Sequence, residues 1–122
     1  MQSGLLLVAH GSRDPAWAAP FSAIQTRLVA LKPECVVALS FLEHTAPTPN
    51  EAAQQLIHAG CGSIHIVPLF LGIGQHAKAD MQAVLQHLQQ AYPTTVCSLQ
   101  APLGEHPEFH ALVAQLLAQL IT

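Results

Sequence analysis

An α/β fold built on a parallel sheet is what this 122-residue sequence predicts, and three observations predict it. Four short apolar runs lie along the chain. Each is followed by a stripe of apolar residues at helical spacing. No internal repeat, low-complexity stretch or linker breaks the alternation. Continuous apolar runs suit strands buried on both faces, as in a parallel sheet. Right-handed crossovers then give a three-layer α/β/α sandwich around a four-stranded parallel sheet, as one domain over residues 1–122.

The first run is Leu5-Leu6-Leu7-Val8-Ala9. The helix after it carries Trp17, Phe21, Ile24, Leu28 and Leu31, a 3.6-period stripe. Asp14-Pro15 suits its start, an N-cap followed by proline at the first helical position. The second run is Val36–Phe41. Its helix opens on Thr48-Pro49-Asn50-Glu51, the pattern of a capping box, and ends near Gly60. The third run is Ile64-His65-Ile66-Val67 before Pro68, with a helix carrying Met81, Val84, Leu85, Leu88 and Tyr92 and closed by Pro93. The fourth is Thr95–Leu99. Its helix starts near Pro107 and carries Phe109, Leu112, Val113, Leu116, Leu117 and Leu120.

Composition excludes several functions. Apolar residues make up 51% of the chain and charged ones only 9%, so a covered surface is expected, under packed helices or a partner subunit. Four basic residues and a net charge of -3 cannot neutralise a run of phosphates, which argues against nucleic acid as partner. The start, MQSGLLLVAHGS, has no basic n-region and too short an apolar run for a signal peptide or membrane span. Cys35, Cys61 and Cys97 form no C-x-x-C pair and are expected to be reduced, buried thiols of a cytoplasmic protein.

Histidine is the outlier, with eight in the chain. In open parallel sheets ligands bind beyond the carboxyl ends of the strands, so the strand-to-helix loops matter most. Each of the four holds a histidine: His10, His44, His76 and His106. His10 ends the first strand and Glu43 the second. His76 ends a glycine-containing loop after the third, in the first helical turn. The topology therefore brings two imidazoles and a carboxylate to one rim. Neutral imidazole is a borderline ligand for cobalt, nickel or iron and a proton acceptor near neutrality. Glu43 can remove protons or orient a histidine. Metal insertion into a porphyrin-like ring needs those properties. Gly11-Ser12 also suits an anion-binding turn before a helix. Gly72 and Gly74 are expected to let their loop turn. His58, His65, His87 and His110 fall on strand or helix bodies and are expected to be structural or exposed.

These residues together resemble a known family. Leu6–Pro15, with its Ala9-His10-Gly11-Ser12-Arg13 core, is similar to the opening signature of the CbiX/SirB class of chelatases. Phe41-Leu42-Glu43 with Pro47-Thr48 resembles their second strand end. Val67–Leu71 with Gly74, His76, Lys78 and Asp80 resembles the third motif; Ala101–Gly104 with His106-Pro107 resembles the fourth. The match runs from about residue 4 to residue 120. At this length the chain resembles the short, single-domain sirohydrochlorin cobaltochelatases. The resemblance implies a flavodoxin-like class II chelatase fold and ATP-independent insertion of cobalt(II), with nickel or iron as alternatives, into a sirohydrochlorin-type tetrapyrrole, with no organic cofactor. It implies a homodimer that mimics longer two-domain relatives. It puts His10 and His76 on the metal-handling histidines and Glu43 on the acidic helper. Gly11, Ser12, Arg13, Gly74, Gln75 and Lys78 are the expected substrate contacts. Gln75 departs from the small residue usual before the histidine.

Two other readings share the fold. A metal or tetrapyrrole carrier would need the same histidines without a proton acceptor. A phospho-acceptor receiver would want an aspartate at a strand end, and a flavin protein a hydroxyl-rich loop. Neither feature is present at His10–Arg13 or Glu43.

Overall fold

A computed structural model describes residues 2–121. The order is β1 (Gln2–Ala9), a 3-10 turn (Pro15–Ala18), α1 (Ala19–Leu31), β2 (Val36–Phe41), α2 (Pro49–His58), β3 (Cys61–Pro68), α3 (Gln75–Ala91), β4 (Val96–Leu99), a second 3-10 turn (Leu103–Glu105) and α4 (Pro107–Ala118). All strand pairs are parallel, in the order β2-β1-β3-β4. β1 and β3 each start three residues before their expected first apolar residue, because pairing with a central neighbour satisfies the backbone even where Gln2, Ser3 and Ser63 interrupt the apolar run.

The caps follow the sequence. The Thr48 hydroxyl accepts from the Glu51 amide at 3.2 Å, and the Glu51 carboxylate accepts from the Thr48 amide at 2.9 Å. Asp14 accepts from the Ala16 amide at 3.0 Å, but the turn it caps is 3-10, and α1 proper starts at Ala19. The break between them keeps Trp17 next to Phe21 and Phe41, at ring-centroid distances of 4.7 and 6.2 Å.

The core lies on one face of the sheet. Leu6, Val8, Ala38, Ile64 and Ile66 from the strands meet Ala52, Ala53 and Leu56 of α2 and Met81 and Leu88 of α3. On the other face α1 packs against β2. Neither α1 nor α4 has a fully buried residue, and Leu112, Leu116 and Leu117 on α4 are exposed. The apolar stripes predicted for these two helices are real, but this chain by itself does not cover them. The three cysteines are free as expected, with Cys61 and Cys97 buried and Cys35 half-buried. No helix among the described residues is long and apolar enough to cross a membrane.

Candidate functional site

The strand order fixes where a ligand can enter. The chain moves from β1 outward to β2 and from β3 outward to β4, so connections diverge between the two central strands. A crevice opens at such a switch point, beyond the strand ends. His10 follows the last residue of β1, and His76 is the second residue of α3, after the loop leaving β3. His10, Leu42, Glu43, Gly74, His76, Ala77 and Asp80 line one open cavity of about 370 Å³. The two imidazoles and the carboxylate expected at one rim thus face a common space.

Backbone contacts hold this edge together. The β1–β2 ladder continues past the strands, with the Leu42 amide donating to Ala9 O and the Glu43 amide to His10 O, both at 3.0 Å. Gly11 has φ +99°, and a Cβ there would lie 1.7 Å from the Glu43 carbonyl oxygen. Only glycine allows the two loops to close so tightly. Gly104 does the same for the other pair of loops: its Cβ would fall 1.7 Å from Leu71 O, and its amide donates to Phe70 O at 2.8 Å. The imidazole of His10 stacks on Phe70, with centroids 4.1 Å apart and planes 19° off parallel. That contact joins the end of β1 to the loop after β3 and limits how the ring can tilt.

The remaining expected contacts divide. The Ser12 hydroxyl accepts from the Asp14 amide at 3.1 Å, and Ser12 O accepts from the Thr45 hydroxyl at 2.9 Å, so Ser12 also braces its loop. Arg13 Nε donates to His44 Nδ1 at 3.4 Å, and His44 Nε2 faces Glu43 Oε2 at 3.9 Å. Arg13 thus rests on His44, a contact 31 residues away that sequence spacing does not reveal. Gln75 and Lys78 line a cavity on the opposite side of α3 from His76, together with Gly74, Ala79 and Gln82. Gly74 borders both spaces. It is the N-cap of α3 at φ -82°, and a Cβ there or on Gly72 would meet nothing within 4 Å. Neither glycine has a positive φ or a close neighbour, so the turn does not need them, contrary to expectation; Gly74 leaves the cavity edge beside His76 open.

Of the other histidines, His58 and His87 are exposed, and three make local or cross-strand contacts. His106 Nδ1 accepts from the Glu108 amide at 3.2 Å as the N-cap of α4, and His110 Nε2 lies 2.6 Å from Gly104 O. His65 pairs with Ser98 at 3.2 Å. Asp80 is the cavity residue that the sequence reading left without a role; its i, i+4 spacing from His76 was the available signal. Among the described residues no three His, Cys, Asp or Glu side chains close into a ready-made metal cage. The imidazoles and acids share a space but stay apart.

Comparison with known proteins agrees with this fold. The CbiX family model matches residues 4–120. The chain belongs to the CbiX family. A sirohydrochlorin cobaltochelatase of Methanococcoides burtonii is 34% identical over 83 residues, covering 68% of this chain and 63% of that protein. The match thus spans about three fifths of the length of such curated relatives. A CbiX protein of Marinobacter aquaeolei, described as putative and assigned to cobalamin biosynthesis, superposes with a TM-score of 0.84 at 23% identity, over 98% of this chain and 97% of that one. The Bacillus subtilis sirohydrochlorin chelatase SirB, solved in complex with cobalt, superposes at 0.83 with 28% identity, over 98% of this chain but 51% of SirB. SirB solved with Fe3+ gives 0.84 at 27% identity, over 100% and 48%.

Proposed function

We propose that this CbiX-family chain inserts a divalent metal ion, cobalt(II) foremost, into sirohydrochlorin or a related tetrapyrrole in cobalamin or siroheme synthesis, without ATP or an organic cofactor. The observation that carries the reading is the shared cavity of His10 and His76 at the switch point, with Glu43 beside them. Family membership and relatives named sirohydrochlorin cobaltochelatase support the reaction class. SirB structures with cobalt and with Fe3+ keep iron as an alternative metal, and imidazole ligation keeps nickel as another.

The reaction exchanges a metal ion for two pyrrole N–H protons. His10 and His76 first hold the ion as neutral ligands. Each can accept a proton only as it releases the metal, so metal delivery and proton uptake are coupled at the same two rings. Two imidazoles match two protons. Glu43 passes protons to solvent or orients an imidazole. Gly11 and Ser12 shape the first loop against the ring, and Arg13 and Lys78 take peripheral carboxylates. Gly74 and Gln75 give the macrocycle access to α3, whose first amides have no side-chain cap.

One chain supplies part of the cleft, and a second copy completes it. A space of about 370 Å³ sits at the small end for a drug-sized ligand, and it is open to solvent. The uncovered leucines of α4 give a second copy an apolar surface. SirB, twice as long, supports such pairing, since this chain spans half of it. The domain works in the cytoplasm, consistent with three unpaired cysteines.

The test is an insertion assay, followed by the tetrapyrrole absorbance, with cobalt(II), nickel(II) and iron(II). His10→Ala and His76→Ala each slow insertion by at least about a hundredfold, the scale of a lost general base. Near-normal rates in both variants overturn the mechanism. Binding without a rate above the spontaneous one makes the protein a carrier instead.

A further inference from the structure

We infer that Asp80 belongs to the metal-handling set, as a carboxylate that draws the incoming dication toward His76; this rests on the roles given above to His10 and His76. Asp80 follows His76 by four residues in α3, so the two lie on one helix face, one turn of about 5.4 Å apart. Both line the cavity that also takes His10 and Glu43. The lining holds two carboxylates, two imidazoles and neither lysine nor arginine. With neutral imidazoles its formal charge is therefore -2, from Glu43 and Asp80 against no basic side chain.

The basic residues of this rim are directed elsewhere. Lys78 lines the cavities on the other side of α3, and Arg13 donates to His44. A polycarboxylate ring and a metal dication need opposite surroundings. The first two turns of α3 separate them, with Gln75, Lys78 and Gln82 on one side and His76 and Asp80 on the other.

A purely structural role does not account for Asp80. It is the sixth residue of α3, beyond the first turn in which an acid favours the helix dipole. Its neighbours along the helix face are Ala77, Ala83 and Val84, apart from His76. Among the described residues Asp80 enters no ion pair. Its exposed carboxylate faces solvent and the shared cavity.

The experiment titrates the intact protein with cobalt(II) alone, by calorimetry or visible absorbance, and then measures insertion. The proteins are wild type, Asp80→Asn, Asp80→Glu and His76→Ala. A charge roughly one helical turn from a dication, screened by water and salt, changes affinity by roughly three- to tenfold. Asp80→Asn therefore weakens cobalt(II) binding by about that factor and raises KM for the metal more than it lowers kcat. The gap narrows between about 20 mM and about 500 mM salt, as screening requires. Asp80→Glu restores most of the affinity. Wild-type affinity in Asp80→Asn alongside lost binding in His76→Ala overturns the role of Asp80 alone. A salt-independent difference also overturns it, since that marks altered packing. A wild-type protein that takes up no cobalt(II) overturns both this inference and the metal-binding roles of the histidines.

Discussion

Gly11→Ala is the sharpest test of how the site is held together. The residue has φ +99°, where a non-glycine residue costs about 1–2 kcal/mol. The added Cβ would sit 1.7 Å from the Glu43 carbonyl oxygen. Restoring ordinary contact moves the two loops apart by roughly 1.5 Å or more, given carbon–oxygen contacts of about 3.3 Å. That shift breaks the hydrogen bond from the Glu43 amide to His10 O, now 3.0 Å. Its loss adds about 1 kcal/mol. The expected destabilisation is about 2–3 kcal/mol, and at about 2.1 cal/mol/K per residue this lowers Tm by about 8–12 °C. Gly72→Ala is the control, because its Cβ meets nothing within 4 Å. Its stability stays within about 0.5 kcal/mol of wild type. Thermal melts of the three proteins, with insertion measured well below Tm, decide the matter. Insertion in Gly11→Ala should fall further than unfolding explains, because His10 and Glu43 sit on the two displaced loops. A Gly11→Ala protein that melts beside Gly72→Ala refutes the close-approach argument.

Glu43→Gln lowers the insertion rate less than either histidine substitution; a larger loss reverses the assigned roles. Leu112→Lys with Leu116→Lys places charge on the exposed face of α4 while leaving the core untouched. Light scattering is expected to show a dimer for wild type and a monomer for this variant, whereas equal masses reject α4 as the pairing surface. Burial, and then the neighbouring Cys35, push the Cys61 thiol up; burial does the same for Cys97. Folded thiols then keep their protons to higher pH than unfolded ones, so the unfolded chain binds fewer protons above the ordinary thiol range near about 8.5. This contribution to stability is complete at neutral pH and declines through and above that range. Denaturant midpoints at pH 7.5 and 10 for wild type and Cys61→Ser/Cys97→Ser test it; an alkaline decline of equal size in both refutes the assignment.

Sequence pattern and structure agree most closely where a residue's environment is local. The Thr48–Glu51 capping box needs only a spacing of three, and it forms as written. The run from Val36 to Phe41 has few polar interruptions, and its strand boundaries match. The α1 and α4 stripes show the limit of such reasoning. Periodicity says that a face is apolar, not what covers it, and Leu112 and Leu116 remain exposed on this chain. Glycines behave the same way. Gly11 and Gly74 look alike in the sequence, yet one is pressed against Glu43 and the other faces open space. Only a neighbouring strand, distant in sequence, distinguishes them.

Why the chemistry collects on one rim follows from the order of the strands. With β1 and β3 central and parallel, their carboxyl ends are neighbours, and residues 10 and 76 meet although 66 positions separate them. The same order assigns the two outer connections to different sides. Gly11 presses the β1 loop onto the β2 loop, while Gly104 presses the β4 loop onto the β3 loop. Each half of the rim is thereby tied within itself. Across the divide the backbone ladder ends with the Leu69 amide donating to Val8 O at 2.8 Å, and beyond it His10 stacks on Phe70. Past that bond the two halves meet through side chains, whereas within each half backbone hydrogen bonds run on to Glu43 and to Gly104. On the proposed function, this seam is where a flat macrocycle would give up two protons and receive its metal. The backbone contacts on both sides place the two imidazoles at one cavity.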